Sequence, residues 1–153
     1  MSLFEDKLKE YLRTFAVQAE HLSLDDSCHS VEEAARTVGA SPDEFVKSIC
    51  LISKDSLIVA IVKGEDRVSI PRVAEALNIS KPRMATPEEI LQKTGYPCGG
   101  TPPLGFEAVF LIDSQILEKE TVYAGGGSET SLLKIATEEM AKANSGQVTN
   151  IRK

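Results

Sequence analysis

A lysine interrupts a segment that otherwise belongs in a protein core. The run Val46-Lys47-Ser48-Ile49-Cys50-Leu51-Ile52-Ser53 is rich in β-branched and apolar residues, and strand alternation puts Lys47 on the same face as Ile49 and Leu51. An ammonium there must find a partner or reach water. At a strand end it can snorkel harmlessly to solvent. In a functional role it supplies a fixed positive charge for a phosphate, hydroxyl or developing oxyanion, or an amine nucleophile if its pKa is lowered. Two glycine clusters offer what Lys47 lacks, backbone donors with no side chains in the way. The first lies in Gly95-Tyr96-Pro97-Cys98-Gly99-Gly100-Thr101-Pro102-Pro103-Leu104-Gly105-Phe106, which holds four of the ten glycines and three of the seven prolines. The second is Gly125-Gly126-Gly127-Ser128. Proline fixes φ and deletes a donor while glycine permits close approach, so the first segment reads as a rigid loop of defined shape. Successive N–H groups in such turns form anion-binding nests, although each cluster also suits a plain connection.

Other chemistries lack their usual marks. There is no G-x-x-x-x-G-K-[ST], no G-x-G-x-x-G after a strand, no G-x-S-x-G elbow and no H-E-x-x-H. Cys28, Cys50 and Cys98 form no C-x-x-C pair, and neither His21 nor His29 stands at metal-ligand spacing, so no metal site, disulfide framework or cofactor is expected. Cys28 and His29 read as a surface turn, since neighbours on an extended chain point to opposite sides. Cys98 lacks an evident histidine partner and reads as incidental to catalysis.

The elements that must position these residues follow from periodicity. Phe4, Leu8, Tyr11, Leu12 and Phe15 recur at helical spacing, which predicts an amphipathic opening helix. Ser30-Val31-Glu32-Glu33 is a capping box for a second helix ending at Gly39, and Ser41-Pro42-Asp43-Glu44 repeats the start signal. Val46 to Ser53 and Leu57 to Val62, separated by Lys54-Asp55-Ser56, predict a hairpin of central strands. Short helices are expected from Pro71 to Leu77 and from Thr86 to Lys93, strands at Ala108 to Ile112, at Thr121 to Ala124 and around Leu132 to Ile135, and a last helix near Thr137 to Ala143. Without a repeated βαβ rhythm the pattern predicts an α/β fold, one compact domain over residues 1–153 with a curved mixed sheet and surrounding short helices.

Composition narrows the partners. With 153 residues, 42% hydrophobic content and a net charge of −6, the chain fits one globular domain and lacks the basic face of a wholesale nucleic-acid binder. Neither a signal peptide nor a membrane-spanning run is evident, so a cytoplasmic protein is expected, with no DNA and no membrane as partners. Arg67, Arg72, Lys81 and Arg83 cluster in sequence and suit either a small phosphate-binding patch or scattered surface charge.

Taken together, Val46-Lys47-Ser48-Ile49, the segment Thr94 to Gly105, and Ala124-Gly125-Gly126-Gly127 resemble the YbaK/EbsC family. This aminoacyl-tRNA editing family also includes the insertion domain of bacterial prolyl-tRNA synthetases. The resemblance spans nearly the whole chain. It implies a free-standing deacylase that hydrolyses the ester of a mischarged tRNA, binding the acceptor end, with an aminoacyl-tRNA synthetase as a further partner. It places the family's strand lysine at Lys47, holding the phosphate or ribose end of the terminal adenosine. The family's Gly-x-x-Pro loop matches Gly100-Thr101-Pro102-Pro103 or, one residue earlier, Gly99 to Pro102. Gly99, Gly100 and Thr101 would flank the ester carbonyl beside Lys47, while Ser48, Pro102, Pro103, Gly105, Gly125, Gly126 and Gly127 would line the substrate pocket. An aminoacyl ester is already activated, so orientation, one water and oxyanion stabilisation suffice in outline. The competing reading is a non-catalytic module that keeps the pocket to bind a tRNA end, nucleotide or amino acid. A Schiff-base enzyme using Lys47 is a third.

Overall fold

The computed structural model describes residues 2–24 and 31–153; the capping serine Ser30 and the pair Cys28-His29 lie outside the described residues. The chain opens with α1 (Leu3–Thr14), capped by Ser2, whose hydroxyl accepts the N–H groups of Phe4 and Glu5. Then follow β1 (Ala19–Ser23), α2 (Val31–Val38) and the hairpin β2 (Val46–Ser53) and β3 (Ser56–Lys63). The hairpin turn has a positive φ of 56° at Lys54. Next come α3 (Ile70–Leu77), the two-residue β4 (Arg83–Met84) and α4 (Pro87–Thr94), the last held by a capping box between Thr86 and Glu89. The remainder is β5 (Val109–Asp113), β6 (Thr121–Gly125), β7 (Ser131–Ala136), α5 (Thr137–Asn144) and β8 (Gln147–Thr149).

The strands form two sheets among the described residues. One has five strands in the order β4-β2-β3-β5-β8, with β3, β5 and β8 parallel, and the other has three in the antiparallel order β1-β7-β6. A parallel bridge between Phe45 and Tyr123 links them, reinforced by stacked rings with centroids 5.0 Å apart. The mixed α/β class expected from the sequence is the one observed, its curved sheet resolved into these two linked sheets.

Alternation explains why β2 and β3 read as almost continuously apolar. Val46, Cys50, Ile52, Val59 and Ile61 pack between the sheets against Val122, Ala124, Leu133, Ile135, Leu8 and Leu12. Leu51, Ile58, Ala60 and Val62 face the other way, onto Val73 of α3, Leu111 and Ile151. Both faces of the five-stranded sheet are therefore covered, and polar residues survive on it only near strand ends. β1, β4 and β8, which the periodicity does not reveal, are the short strands at sheet edges.

Candidate functional site

β4 covers only one end of β2. Gly64 N–H donates to Phe45 O at 2.8 Å, so Phe45 and the odd-numbered residues after it exchange hydrogen bonds with β3. The even-numbered residues turn their backbone groups the other way, as Ala85 N–H donating to Cys50 O at 3.0 Å confirms. The strand β4 pairs only with Leu51 and Ile52, while the bridge of Phe45 to Tyr123 brings β6 alongside the start of β2. Between β4 and β6 lies a cavity of about 300 Å³ whose lining includes Lys47, Ser48, Cys50, Gly99, Thr101 and Gly125.

The two glycine clusters meet at its wall. Gly127 N–H donates to Gly100 O at 2.8 Å, and the backbones approach more closely than side chains allow. A Cβ on Gly100 would stand 2.5 Å from Ser128 N, and one on Gly125 would stand 2.3 Å from Thr101 O. Only glycine fits either position. Within the first loop, Gly100 N–H donates to Pro97 O at 3.0 Å and Thr101 Oγ1–H donates to the same carbonyl at 2.9 Å, fixing the 3-10 turn Cys98–Gly100.

The helix α1 clasps both loops. Its buried Glu5 accepts hydrogen bonds from Ser23 Oγ at 2.6 Å and Ser128 Oγ at 2.7 Å. Burial works to raise this carboxyl's pKa, but the two hydroxyls and the nearby His21 and Lys9 outweigh it and hold the pKa below the ordinary value. His21 Nε2–H donates to Gly126 O at 2.8 Å from β1. Lys7 Nζ lies 4.7 Å from the Tyr96 ring centroid and donates to Gly95 O at 3.4 Å, which ties the helix to the start of the first loop.

Lys47 stands at the cavity rim, half-buried, its ammonium donating to Gly64 O at 3.3 Å and pairing with no carboxylate among the described residues. Ser48 sits deeper, and its Oγ is buried with no hydrogen-bond partner. The apolar remainder of the lining is Val46, Ile49, Met84, Ala85 and Ile90. Of the residues the sequence marks for the site, the structure gathers Lys47, Ser48, Gly99, Thr101 and Gly125 around one cavity. Gly100, Pro102 and Pro103 are buried behind it, with Pro103 O accepting from Asn144 Nδ2 at 2.9 Å. Gly126 and Gly127 pack against Ser131 and Phe4, while Gly105 lies beside Tyr96, Leu8 and Tyr11. The Met84, Ala85 and Ile90 wall is the addition that sequence reasoning missed.

Two cysteines also line the cavity, in different environments. Burial pushes the Cys50 thiol up to about 12, with Cys98 adding to the shift, whereas Cys98 is exposed. At pH 8 only about one Cys50 in ten thousand would be thiolate. Brief treatment of the folded protein with iodoacetamide at that pH should therefore carbamidomethylate Cys98 and spare Cys50, as read by peptide mass spectrometry. Equal labelling of the two would show that the cavity opens far more widely than described.

A second, larger hollow of about 830 Å³ lies across β4, where Arg83 lines it while its neighbour Met84 lines the cavity. Lys54, Lys81 and Arg83 rim it over a floor of Ile58, Leu77, Ile79 and Val109, with no acidic residue in the lining. Arg67 and Arg72, grouped with these cations by sequence, are not part of it. Arg83 forms a two-pronged pair with Glu89 at 2.8 and 2.7 Å, and that guanidinium holds the Glu89 carboxyl down at about 2.

Similarity to known proteins covers this whole region. The family described as "Aminoacyl-tRNA editing domain" matches residues 25–143. The proline–tRNA ligase of Thermotoga neapolitana is 28% identical over 97 residues, 63% of this chain but only 17% of the ligase, so the chain spans a small part of that relative's length. The uncharacterized protein YwhH of Bacillus subtilis is 26% identical over 128 residues, covering 82% of this chain and 81% of YwhH. A crystal structure of a proposed trans-editing enzyme for prolyl tRNA synthetase superposes with a TM-score of 0.93 at 26% identity, covering 100% of this chain and 99% of the other. No helix among the described residues is long and apolar enough to cross a membrane.

Proposed function

We propose, from the premise that this chain belongs to the aminoacyl-tRNA editing domain family, that it is a trans-acting deacylase that hydrolyses the ester between a mistaken amino acid and the tRNA acceptor end. The observation that carries the reading is the convergence of Lys47, Ser48, Gly99, Thr101 and Gly125 on one cavity. Water attacks the ester carbonyl, the C–O bond to the ribose breaks, and the products are the free amino acid and the tRNA hydroxyl. The enzyme's part is to orient the ester and stabilise the tetrahedral oxyanion. Lys47 at the rim supplies positive charge to the phosphate or ribose end of the terminal nucleotide. Because Gly100 N–H is spent on Pro97 O, the backbone at Gly99 and Thr101 faces the carbonyl, and Gly100 serves by fixing their geometry.

The acidic chain confines RNA contact to a few phosphates. With Arg83 already paired with Glu89, Lys54 and Lys81 along the adjoining hollow are the cations for that contact, which makes binding weak and salt-sensitive. An aminoacyl-tRNA synthetase that hands over mischarged tRNA is the natural protein partner.

Purified protein incubated with a panel of mischarged tRNAs under single-turnover conditions should cleave at least one ester well above its spontaneous rate and spare correctly charged tRNA. Tight binding across the panel without cleavage of any ester would replace this reading with that of a binding module.

A further inference from the structure

We infer that α1 and β1 are working parts of the site, in which Glu5 and His21 are positioning residues that hold the glycine wall of the cavity in place. Their part in the reaction rests on the deacylase reading, whereas the bracing of the loop does not. The family match covers residues 25–143, so both elements lie outside it. Yet they reach the connection between β6 and β7, where Gly125 lines the cavity and Gly126, Gly127 and Ser128 follow.

Three successive glycines have no side chains with which to fix themselves, and glycine loses the most backbone freedom on ordering. This loop is held from outside. His21 Nε2–H donates to Gly126 O at 2.8 Å, Gly127 N–H donates to Gly100 O at 2.8 Å, and Ser128 Oγ–H donates to Glu5 Oε2 at 2.7 Å. The first and last of these reach in from β1 and α1. A carbonyl only accepts, so the imidazole proton sits on Nε2, and the buried Nδ1 has no partner among the described residues. The ring's hydrogen bonding thus serves the loop. Glu5 gives its other oxygen to Ser23 Oγ at 2.6 Å, so one carboxylate ties the loop to β1. Taking a carboxylate out of water is costly, and an apolar residue would fill the same space at less cost. What the carboxylate adds is position, through bonds stronger than those between neutral groups. Position matters here because a Cβ on Gly125 would stand 2.3 Å from Thr101 O, so a shift of the second loop displaces the first. A misplacement of about 1 Å near reacting atoms can cost about 100-fold in rate.

The test pairs leucine with glutamine at each position of the intact protein. Leucine fills space without polar reach. Glutamine sets an amide nitrogen where imidazole Nε2 stood and, in place of Glu5, still bonds both serine hydroxyls. Glu5→Leu and His21→Leu should each lower the single-turnover rate at saturating protein by about 10- to 100-fold, while the protein concentration for half-saturation stays within about threefold of the parent's. Glu5→Gln and His21→Gln should regain most of the rate. Hydrogen exchange read by mass spectrometry should quicken about tenfold or more over residues 125–131 of the leucine variants and stay parental over β2 and β3. Parental rates in the leucine variants, glutamine variants no better than leucine ones, or exchange that quickens throughout the chain would overturn the inference, the last by reducing both residues to general supports of the fold. A parent protein that hydrolyses no ester of the tRNA panel removes the deacylase reading, and the exchange pattern then decides alone. Loop-confined quickening that glutamine reverses sustains the brace, and unchanged exchange refutes it.

Discussion

Lys47→Ala is expected to lower single-turnover ester hydrolysis by about 100- to 1000-fold, the usual cost of losing one well-placed group that stabilises developing charge. The fold should survive. Lys47 is half-buried at the end of β2, and its ammonium makes a single contact to Gly64 O at 3.3 Å, a loss of about 1 kcal/mol in stability. Lys47→Arg sharpens the test, because the planar guanidinium keeps the charge but not the compact ammonium and should recover little of the rate. Circular dichroism with thermal melts and a single-turnover assay decide the matter. Near-normal activity in Lys47→Ala places the site elsewhere, and full rescue by arginine reduces the lysine to a diffuse electrostatic role.

The second large effect concerns the seam between the glycine loops. Gly100→Val should destabilise the protein by about 2–4 kcal/mol and abolish hydrolysis with it, since a Cβ there meets the backbone of Gly127 and Ser128 within 2.7 Å. Backbone cannot move aside as a flexible side chain does. The smaller Gly100→Ala carries the same Cβ and should already show most of the loss of stability. Chemical denaturation of both variants gives the result, and a Gly100→Val protein with unchanged stability would contradict the interlocked loops. The resemblance read from the sequence instead sets Gly100, and with it a backbone N–H, beside the ester carbonyl. In the structure that N–H is already bonded to Pro97 O.

What was legible in the sequence was local. The hairpin of β2 and β3, the proline-initiated helices and the capping box at Thr86 each declare themselves within a few residues through periodicity, caps and turn chemistry. β4 was not, because two exposed residues carry no period at all, and yet its Met84 lines the cavity beside β2. The candidate site divides in the same way. Lys47 stands out as a charge in an apolar run, and the glycine clusters stand out by composition. That Gly100 rests on Gly127 and Gly125 on Thr101 cannot be read from residues so far apart in the chain. Nor can the burial of Ser48 Oγ without a hydrogen-bond partner among the described residues, which depends on how distant segments pack around it.

The clasp formed by α1 has a consequence for how the molecule comes into being. Glu5 and Ser128 are 123 residues apart, so the contact that braces the second loop closes one of the longest circuits available to the chain. Such contacts form late, after local hairpins and helices have made the circuit shorter in effect. On a ribosome adding about 5–20 residues per second, α1 waits roughly 6–25 s before its partner has even been synthesised. Until then β2 and β3 can zip together, but no binding pocket exists. The complete cavity, which needs Gly125 as well as β2, is therefore a product of the late stages of synthesis.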